Sequence, residues 1–575
     1  MKLKKWLLSA FTVVLVISVI GCSSSKNNSS NSTTPSASSS TENASDSPSP
    51  SEEPKLDPVT FTYFNATANK DTDTNQTDVG KILEDQTGVN FKIEYLVGDL
   101  DTKIGTMIAS NDYPDVMQPD IGIDKILEAG AFIPLNDLIE QYGPNIKRVY
   151  GKFFNLMKAA DGNIYFLPFS PLVGEYTPNS VIDQGAFWIQ NRVLEEAGYP
   201  KIKTFDEYFN LIETYANNHK SDKLTGFMSL THDWRFFATT NPPNHLQGYP
   251  NDGEVQVDLK TMDAKIYATN DGTKRWLQKL NDLNSKGLFD KSSFVDNYDQ
   301  YLAKITSGKV LGFFDYGWQV NQANQTIAAD AVNNGGDDSL GYFPLPIVFD
   351  EGIKDQYIDP DSFINNRGIG ITVKAQDPVR IIQFFDNMLK EENQILTHWG
   401  ILGKTYEKDA SGRLYRTQEQ IDKLKDNDYN RDVGLGHFQY YWPMYAQGST
   451  LSDGNASDPS RQPEVAALSF TPAVKERLAK YGVQTFTQMF AIPDDRPWYP
   501  AWSIALEQGS QAQIYTAKKP DVQRKYFAKI VLADPSKFDA YWDEYLNEYS
   551  KLPVAEYEQT MTELIKDKVA KIRGN

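Results

Sequence analysis

The chain has 575 residues, a formal net charge of -19, a single cysteine and 12% aromatic residues, including 31 Tyr and 10 Trp. Such an acidic field disfavours nucleic acid and adhesion to anionic lipid as modes of binding. One cysteine excludes a disulfide-stapled scaffold, and the length suffices for one large or two medium lobes held by hydrophobic cores.

The N-terminus carries Lys2, Lys4 and Lys5 and then an apolar run from Trp6 to Ile20. That run is roughly 15 residues, the size of a signal-peptide core and short of the roughly 20 that a membrane span requires. Cys22 follows Val19-Ile20-Gly21 directly. The arrangement resembles the lipobox of bacterial lipoproteins. The resemblance implies cleavage after residue 21, lipid (palmitate among it) on the Cys22 thiol, and a body anchored at the outer face of the cell membrane. The plainer readings are an ordinary signal peptide that contains a cysteine, or a short membrane helix. Removing residues 1–21 takes away three lysines and moves the charge from -19 to -22. Residues 22–55 are nearly all Ser, Asn, Thr, Pro and Ala with a few acids. They have too little apolar surface to offset folding entropy, so a disordered tether is expected, with an r.m.s. span of about 30 Å for roughly 30 residues.

The body begins near Leu56. Val59 to Phe64 alternates as a strand, Gly80 to Gly88 reads as the end of a helix with a glycine cap, and Val89 to Tyr95 alternates again. Strand, helix and strand at this spacing predict a βαβ unit and a parallel sheet. A helix from Lys103 to Ser110 leads through Asn111-Asp112-Tyr113-Pro114-Asp115 into a short strand. Asp161-Gly162-Asn163 turns into a strand ending at Pro168, Trp188-Ile189 is a strand, and Arg192 to Gly198 is a helix. Thr204 and Glu207 form a capping box. Leu302 to Ser307 is a helix, and Gly308 to Phe314 is a buried strand that runs out into Asp315-Tyr316-Gly317-Trp318. Gly368 to Val373 is a further strand, and Pro378 sits just inside the start of the next helix. The C-terminus is amphipathic helix: Phe538, Tyr541, Trp542, Tyr545 and Tyr549 share one face, and Tyr557, Met561, Leu564 and Ile565 share another.

In this order, the lipobox, the tether, the strand-helix-strand unit, the Asp112–Val116 loop, the Asp161–Pro168 segment, Gly308–Phe314 with Trp318 and the Asp377-Pro378 helix resemble the extracellular solute-binding proteins of carbohydrate ABC importers. The resemblance is greatest to the large oligosaccharide-binding lipoproteins of Gram-positive bacteria, which include relatives of alginate-binding proteins. It covers the chain from about Leu56 to Gly574. It implies an α/β fold of the two-lobe periplasmic-binding-protein-like type II class, with ligand held in the interlobe cleft. Carried onto this sequence, one lobe comprises residues 56–174 plus 365–428 and the other 175–364 plus 429–575. It also implies a monomeric, non-enzymatic receptor that takes an oligosaccharide and passes it to membrane permease subunits. Many large oligosaccharide binders carry a calcium loop after the helix that here ends near Ala216. Residues 217–226 lack most of the acidic ligands, which puts a structural calcium in doubt, and no other cofactor is expected.

Sugar recognition requires flat aromatic faces against pyranose C–H groups, and polar groups for the hydroxyls. Trp318 lies just past a buried strand, where open α/β sheets place ligands; the alternative is a core tryptophan. Trp188, Trp399, Trp442, Trp498 and Tyr499 suit either a platform or core packing. Asn65, Tyr113, Asp115, Asp120 and Asp315 are expected at strand ends towards the cleft, as hydroxyl acceptors or as plain turn residues. A charged ligand would require Arg or Lys there, with Arg235, Arg367 and Arg496 as candidates. Catalysis is poorly supported: no sequence spacing singles out a pair of carboxylates, and no nucleophile elbow, phosphate loop or zinc motif is present. The five histidines are scattered, and Asp71-Thr72-Asp73-Thr74-Asn75 opens like a calcium loop but fails at Gln76 and Ile82. The competing functions are a surface polysaccharide-degrading enzyme, a peptide-binding member of the same fold, and a surface chaperone.

Overall fold

The computed structural model describes residues 57–574 apart from Phe169, Asp361 and 439–441. Cys22, the signal segment and the expected tether lie outside the described residues. The chain first lays down β1 (Val59–Asn65), β2 (Thr72–Asp73), β3 (Val89–Tyr95), β4 (Val116–Gln118) and β5 (Phe166–Pro168). After a crossing segment come β6 (Gly185–Gln190) and β7 (Thr225–Met228), a small hairpin of β8 (Val255–Val257) and β9 (Ala264–Ile266), and then β10 (Val310–Tyr316) and β11 (Tyr342–Leu345). The chain then returns to complete the first sheet with β12 (Gly368–Ile371).

The expected βαβ unit is present. β1 pairs in parallel with β3, Val59 opposite Val89 through Asn65 opposite Tyr95. The helix between them, Asp78–Thr87, is N-capped by Thr77 and ends at Gly88, whose φ of 68° is the left-handed conformation glycine adopts without strain. The first sheet has the order β2-β3-β1-β4-β12-β5 and the second β11-β6-β10-β7.

Each sheet organises its own core. Alternation along β1 sends Phe61 and Tyr63 to one face, with Phe91, Phe384, Phe385 and Trp442, and Phe64 to the other, with Ile104, Met117 and Ile123. The second sheet is buried with Phe187, Tyr208, Trp276, Phe313 and the C-terminal helices. Those helices bury Phe538, Trp542, Tyr545 and Tyr549 on one face and Tyr557, Met561 and Ile565 on another, as the periodicity predicted, while Tyr541 and Leu564, expected on the same faces, are only partly buried. The second segment of the second lobe starts later than the expected residue 429. Phe438, Trp442, Tyr445, Leu451 and Val465 pack in the first core, and contributions to the second resume only around Phe470 and Leu478.

The registers fix which edges the crossing segments join. β5 and β12 are antiparallel, Pro168 opposite Gly368, and β12 is antiparallel to β4. The carboxyl ends of β1, β4 and β5 and the start of β12 therefore share one edge. In the second sheet Gly185 is opposite Tyr316, Leu345 is opposite Phe187, and β10 runs parallel to β7. The start of β6 and the ends of β7, β10 and β11 likewise share an edge. Residues 169–184 and 346–367 run between these two edges, so the edges bound the gap between the lobes. Among the described residues no helix is long and apolar enough to cross a membrane.

Candidate functional site

At the second edge the parallel strands β7 and β10 end beside each other, and each is followed by a tryptophan. Trp318 is the second residue of the helix Gly317–Asn334, and Trp234 lies in the short helical turn Asp233–Phe236 after β7. Their rings are parallel within 5°, with centroids 5.8 Å apart. They remain 52% and 61% exposed, in a protein whose other large aromatics are mostly buried. Gly317 makes this placement possible, because a Cβ there would lie 1.9 Å from the Ile182 carbonyl oxygen. The first crossing segment thus passes directly under the Trp318 backbone, whose N–H donates to the Asp183 carbonyl at 3.0 Å. Phe237 and Tyr316 back the pair. The Arg235 guanidinium lies 4.6 Å from the Trp234 ring and 4.2 Å from Tyr298, and it pairs with Asp233. A third tryptophan, Trp502, is 43% exposed and packs over Gly253.

Two carboxylates from the crossing segments lie beside this platform. Asn179 Nδ2 donates to Asp183 Oδ2 at 3.1 Å, and Tyr176 donates its hydroxyl to the Asp359 carbonyl at 2.9 Å. Asp359 Oδ1 has no hydrogen-bond partner. Burial, with Asp183 and Asp252 as like-charged neighbours, pushes its carboxyl up to about 7, although the Tyr499 hydroxyl donates to it.

The first edge is polar. Asn65 ends β1 with Nδ2 donating to the Tyr63 hydroxyl and Oδ1 accepting from Thr67. Gln118 ends β4 fully buried, with Nε2 unpartnered. Asp120, held at φ 47°, lies 3.2 Å from Arg367 Nε just before β12. Between the lobes a cavity of about 280 Å³ opens. Ile123, Asp124, Tyr165 and Phe166 line it from the first lobe, and Ser503, Ile504, Leu564 and Lys568 from the second.

Of the residues expected in the site, Trp318 is exposed on the platform, and Asn65 and Asp120 occupy the first edge. Tyr113 is not at a cleft: it packs in the first lobe's core with Ile104 and Met117. Asp115 is a clamp, accepting from the Thr62 N–H and hydroxyl and from the Gln376 N–H, which leaves it committed to the fold. Asp315 is fully buried inside β10, which runs two residues beyond Phe314. It accepts from Tyr301, the Tyr316 N–H and Gln319, and burial pushes its carboxyl up to about 7. Four of the named tryptophans are core residues, and three of them have their indole N–H satisfied internally. Trp188 donates to the Asp315 carbonyl, Trp399 to the Ala456 carbonyl and Trp498 to Asp252, while Trp442 packs against Tyr63, Phe91 and Phe438. Tyr499 is buried against Asp359. Trp234, Asp183, Asp359 and Trp502 are the site candidates that sequence reasoning missed. Trp234 alone had a signal, the Trp-Arg-Phe-Phe run after a polar turn. Among the described residues no group of three or more His, Cys, Asp or Glu side chains is placed to hold a metal ion. The loop after Asn218 offers Asp222 as its one carboxylate.

A chain of two α/β lobes joined by crossing segments, with an aromatic platform at the gap, belongs to the class of solute receptors. Residues 72–395, more than half the chain, match the bacterial extracellular solute-binding protein family, and the chain belongs to that family. It is 30% identical over 253 residues to the fructooligosaccharide ABC transporter substrate-binding protein FusA of Streptococcus pneumoniae serotype 4. That stretch is 40% of this chain and 45% of FusA, so the match spans less than half of the relative. Lipoprotein LipO of Bacillus subtilis is 23% identical over 418 residues, 66% of this chain and 76% of LipO. The structure of FusA in complex with kestose superposes with a TM-score of 0.61 at 20% identity, covering 89% of this chain and all of that one. Alginate-binding protein AlgQ2 without calcium ion gives 0.58 at 19% identity, over 89% and 98%. These likenesses establish the two-lobe fold. The family is one of binding proteins rather than enzymes.

Proposed function

We propose that this protein is the lipid-anchored receptor of an ABC importer and holds an oligosaccharide between its lobes for transfer to permease subunits. The observation that carries the reading is the parallel, solvent-facing pair Trp234 and Trp318, at the strand ends that bound the interlobe gap. Parallel indoles left exposed at such a place are suited to the apolar faces of sugar rings. Asp183 and Asp359 beside them, and Asn65, Asp120 and Arg367 on the other edge, supply hydroxyl partners. The likeness to a fructooligosaccharide-binding protein and to a lipoprotein supports the ligand class and the anchor. The lone Cys22 behind its apolar run supports lipid attachment there, and a monomer fits a receptor that works by closing two lobes of one chain.

Closure shifts the population towards the form that binds ligand better, so a true ligand should quench or shift indole fluorescence and reduce the radius of gyration. The test is a titration with fructan, plant-wall and host-glycan oligosaccharides, following both signals. Saturable change with at least one sugar is expected. Silence across the panel, or the appearance of cleaved products, would overturn the receptor reading.

A further inference from the structure

The turn that carries Trp234 is held by more than its own backbone. Asp233, its first residue, sits at φ 45°, in the left-handed region that a residue with a side chain seldom occupies. Two arginines fix it there. Arg524, on the helix Gln511–Val531, donates from Nη1 to the Thr231 carbonyl at 2.6 Å and from Nη2 to the Asp233 carbonyl, and its guanidinium lies 4.6 Å from the Phe236 ring. Arg235 donates its backbone N–H to Asp233 Oδ1 at 2.9 Å and its Nη1 to Oδ2.

Arg235 also reaches the helix of the other tryptophan. Its guanidinium packs over Trp234 at 4.6 Å and over Tyr298 at 4.2 Å. Tyr298 opens the helix Tyr298–Thr306 and donates its hydroxyl to the Gln319 carbonyl at 2.7 Å. Gln319 follows Trp318 in the chain, and its side chain is fixed on Asp315 Oδ1 at 2.6 Å. A series of contacts therefore runs from Trp234 through Arg235, Tyr298 and Gln319 to Trp318, and closes where the two indoles lie parallel within 5°. Phe237 backs both rings, but it is tilted by 41° to one and 44° to the other, so it does not template a parallel pair.

A guanidinium is suited to this place, because it is planar and always charged, so that stacking orients as well as attracts. The Arg235 side chain is 21% exposed, its Nε is buried without an acceptor, and its Nη1 is taken by Asp233. A guanidinium set to meet a ligand's carboxylate would offer a fork of free donors. This one gives its plane to two rings.

We propose that Arg235 is a positioning residue: through Asp233 and Tyr298 it ties the turn of Trp234 to the helix of Trp318 and sets the alignment of the two rings, without itself meeting the ligand. This rests on the receptor reading above and deepens it.

The first measurement needs no ligand. In protein labelled with fluorotryptophan each indole gives its own fluorine resonance, and Trp234→Phe and Trp318→Phe assign the two lines. Each line is expected to move when the other tryptophan is replaced, since each ring lies in the other's shielding field. In Arg235→Met both lines should shift and that mutual dependence should be lost, while the lines of Trp276 and Trp442 in the two cores stay in place. Tyr298→Phe, which removes only the hydroxyl on Gln319, should move the Trp318 line in the same sense. Unmoved lines of the pair overturn the inference, and movement of the core lines as well makes Arg235 a general stabiliser and also overturns it.

The second measurement is affinity, with kestose as a neutral probe and trigalacturonate as an acidic one. Arg235→Met should weaken kestose about fivefold or more through lost preorganisation, and less than about twofold when Trp234 is already alanine. Arg235→Lys, which keeps the charge but not the plane, should not restore the affinity. A loss that persists in the Trp234→Ala background, or one confined to the acidic sugar, makes Arg235 a direct ligand contact and overturns the inference, as does full rescue by lysine. If no sugar of the panel above binds, the receptor reading falls, while the fluorine lines still decide whether Arg235 aligns the rings.

Discussion

The two edges that bound the gap are built from opposite materials. In the first lobe, β1 and β4 run out into Asn65, Gln118 and Asp120, side chains held by their own local hydrogen bonds or ion pair. In the second, β7 and β10 run out into Trp234 and Trp318, parallel rings that stay about half exposed. A polar edge gives directional contacts whose net worth is modest, because each replaces a hydrogen bond to water. An aromatic edge gives area and tolerates variation in what lies on it. The second lobe is therefore expected to carry most of the affinity and the first to set orientation. The same contrast divides the tryptophans: those sealed in a core carry stability, and the exposed pair carries binding.

The strongest test of that division is Trp442→Ala in the first lobe's core. It should cost about 3–5 kcal/mol of stability, read by denaturant unfolding, while the remaining folded protein keeps its ligand preference. Next is Asp315, which keeps its proton to about 7 when folded and loses it near 3.8 when unfolded. Between those values the native state holds the extra proton, so this group's contribution to stability declines as pH rises through the window and is constant above it. Asp315→Asn retains the acceptor for Tyr316 and Gln319 and turns its amide towards the Tyr301 hydroxyl. It should gain on the wild type by on the order of 2–4 kcal/mol between pH 4 and 7, as read from urea midpoints. Trp318→Ala should weaken the best ligand by about 1–3 kcal/mol, a range known for base stacking, and move stability by less than about 0.5 kcal/mol. Trp234→Ala combined with it in a double-mutant cycle should be non-additive, since the rings are neighbours. Smallest is Arg367→Ala on the polar edge, at about 0.5–1.5 kcal/mol of affinity by calorimetry. A larger loss there than at Trp318 would reverse the assignment of roles to the two lobes.

Much of the architecture was legible because local chemistry and global fold agree. The glycine cap at Gly88, the capping box at Thr204 and Glu207, and Pro378 at the start of its helix all appear where residue type places them. Trp318 was legible for a similar reason, standing just beyond a conspicuous buried strand. Trp234 was not, because β7 is only four residues long and its neighbour β10 is a tertiary fact. Asp315 misled because a charged residue reads as the end of a strand. Here three donors keep it inside, so β10 continues to Tyr316. Surplus indoles look alike in sequence whether they fill a core or face solvent. Asp183 and Asp359 lie on crossing segments that carry no periodic pattern at all.

The position of β12 has a consequence for how the protein is made. β4 and β5 bond to a strand some 200 residues or more downstream, so the first sheet stays open until most of the polypeptide has been synthesised. A chain cut short before Gly368 would leave two unsatisfied strand edges, the kind of template on which identical chains aggregate. The amino-terminal part is thus not an autonomous module: its sheet is complete only when the returning strand β12 takes its place between β4 and β5.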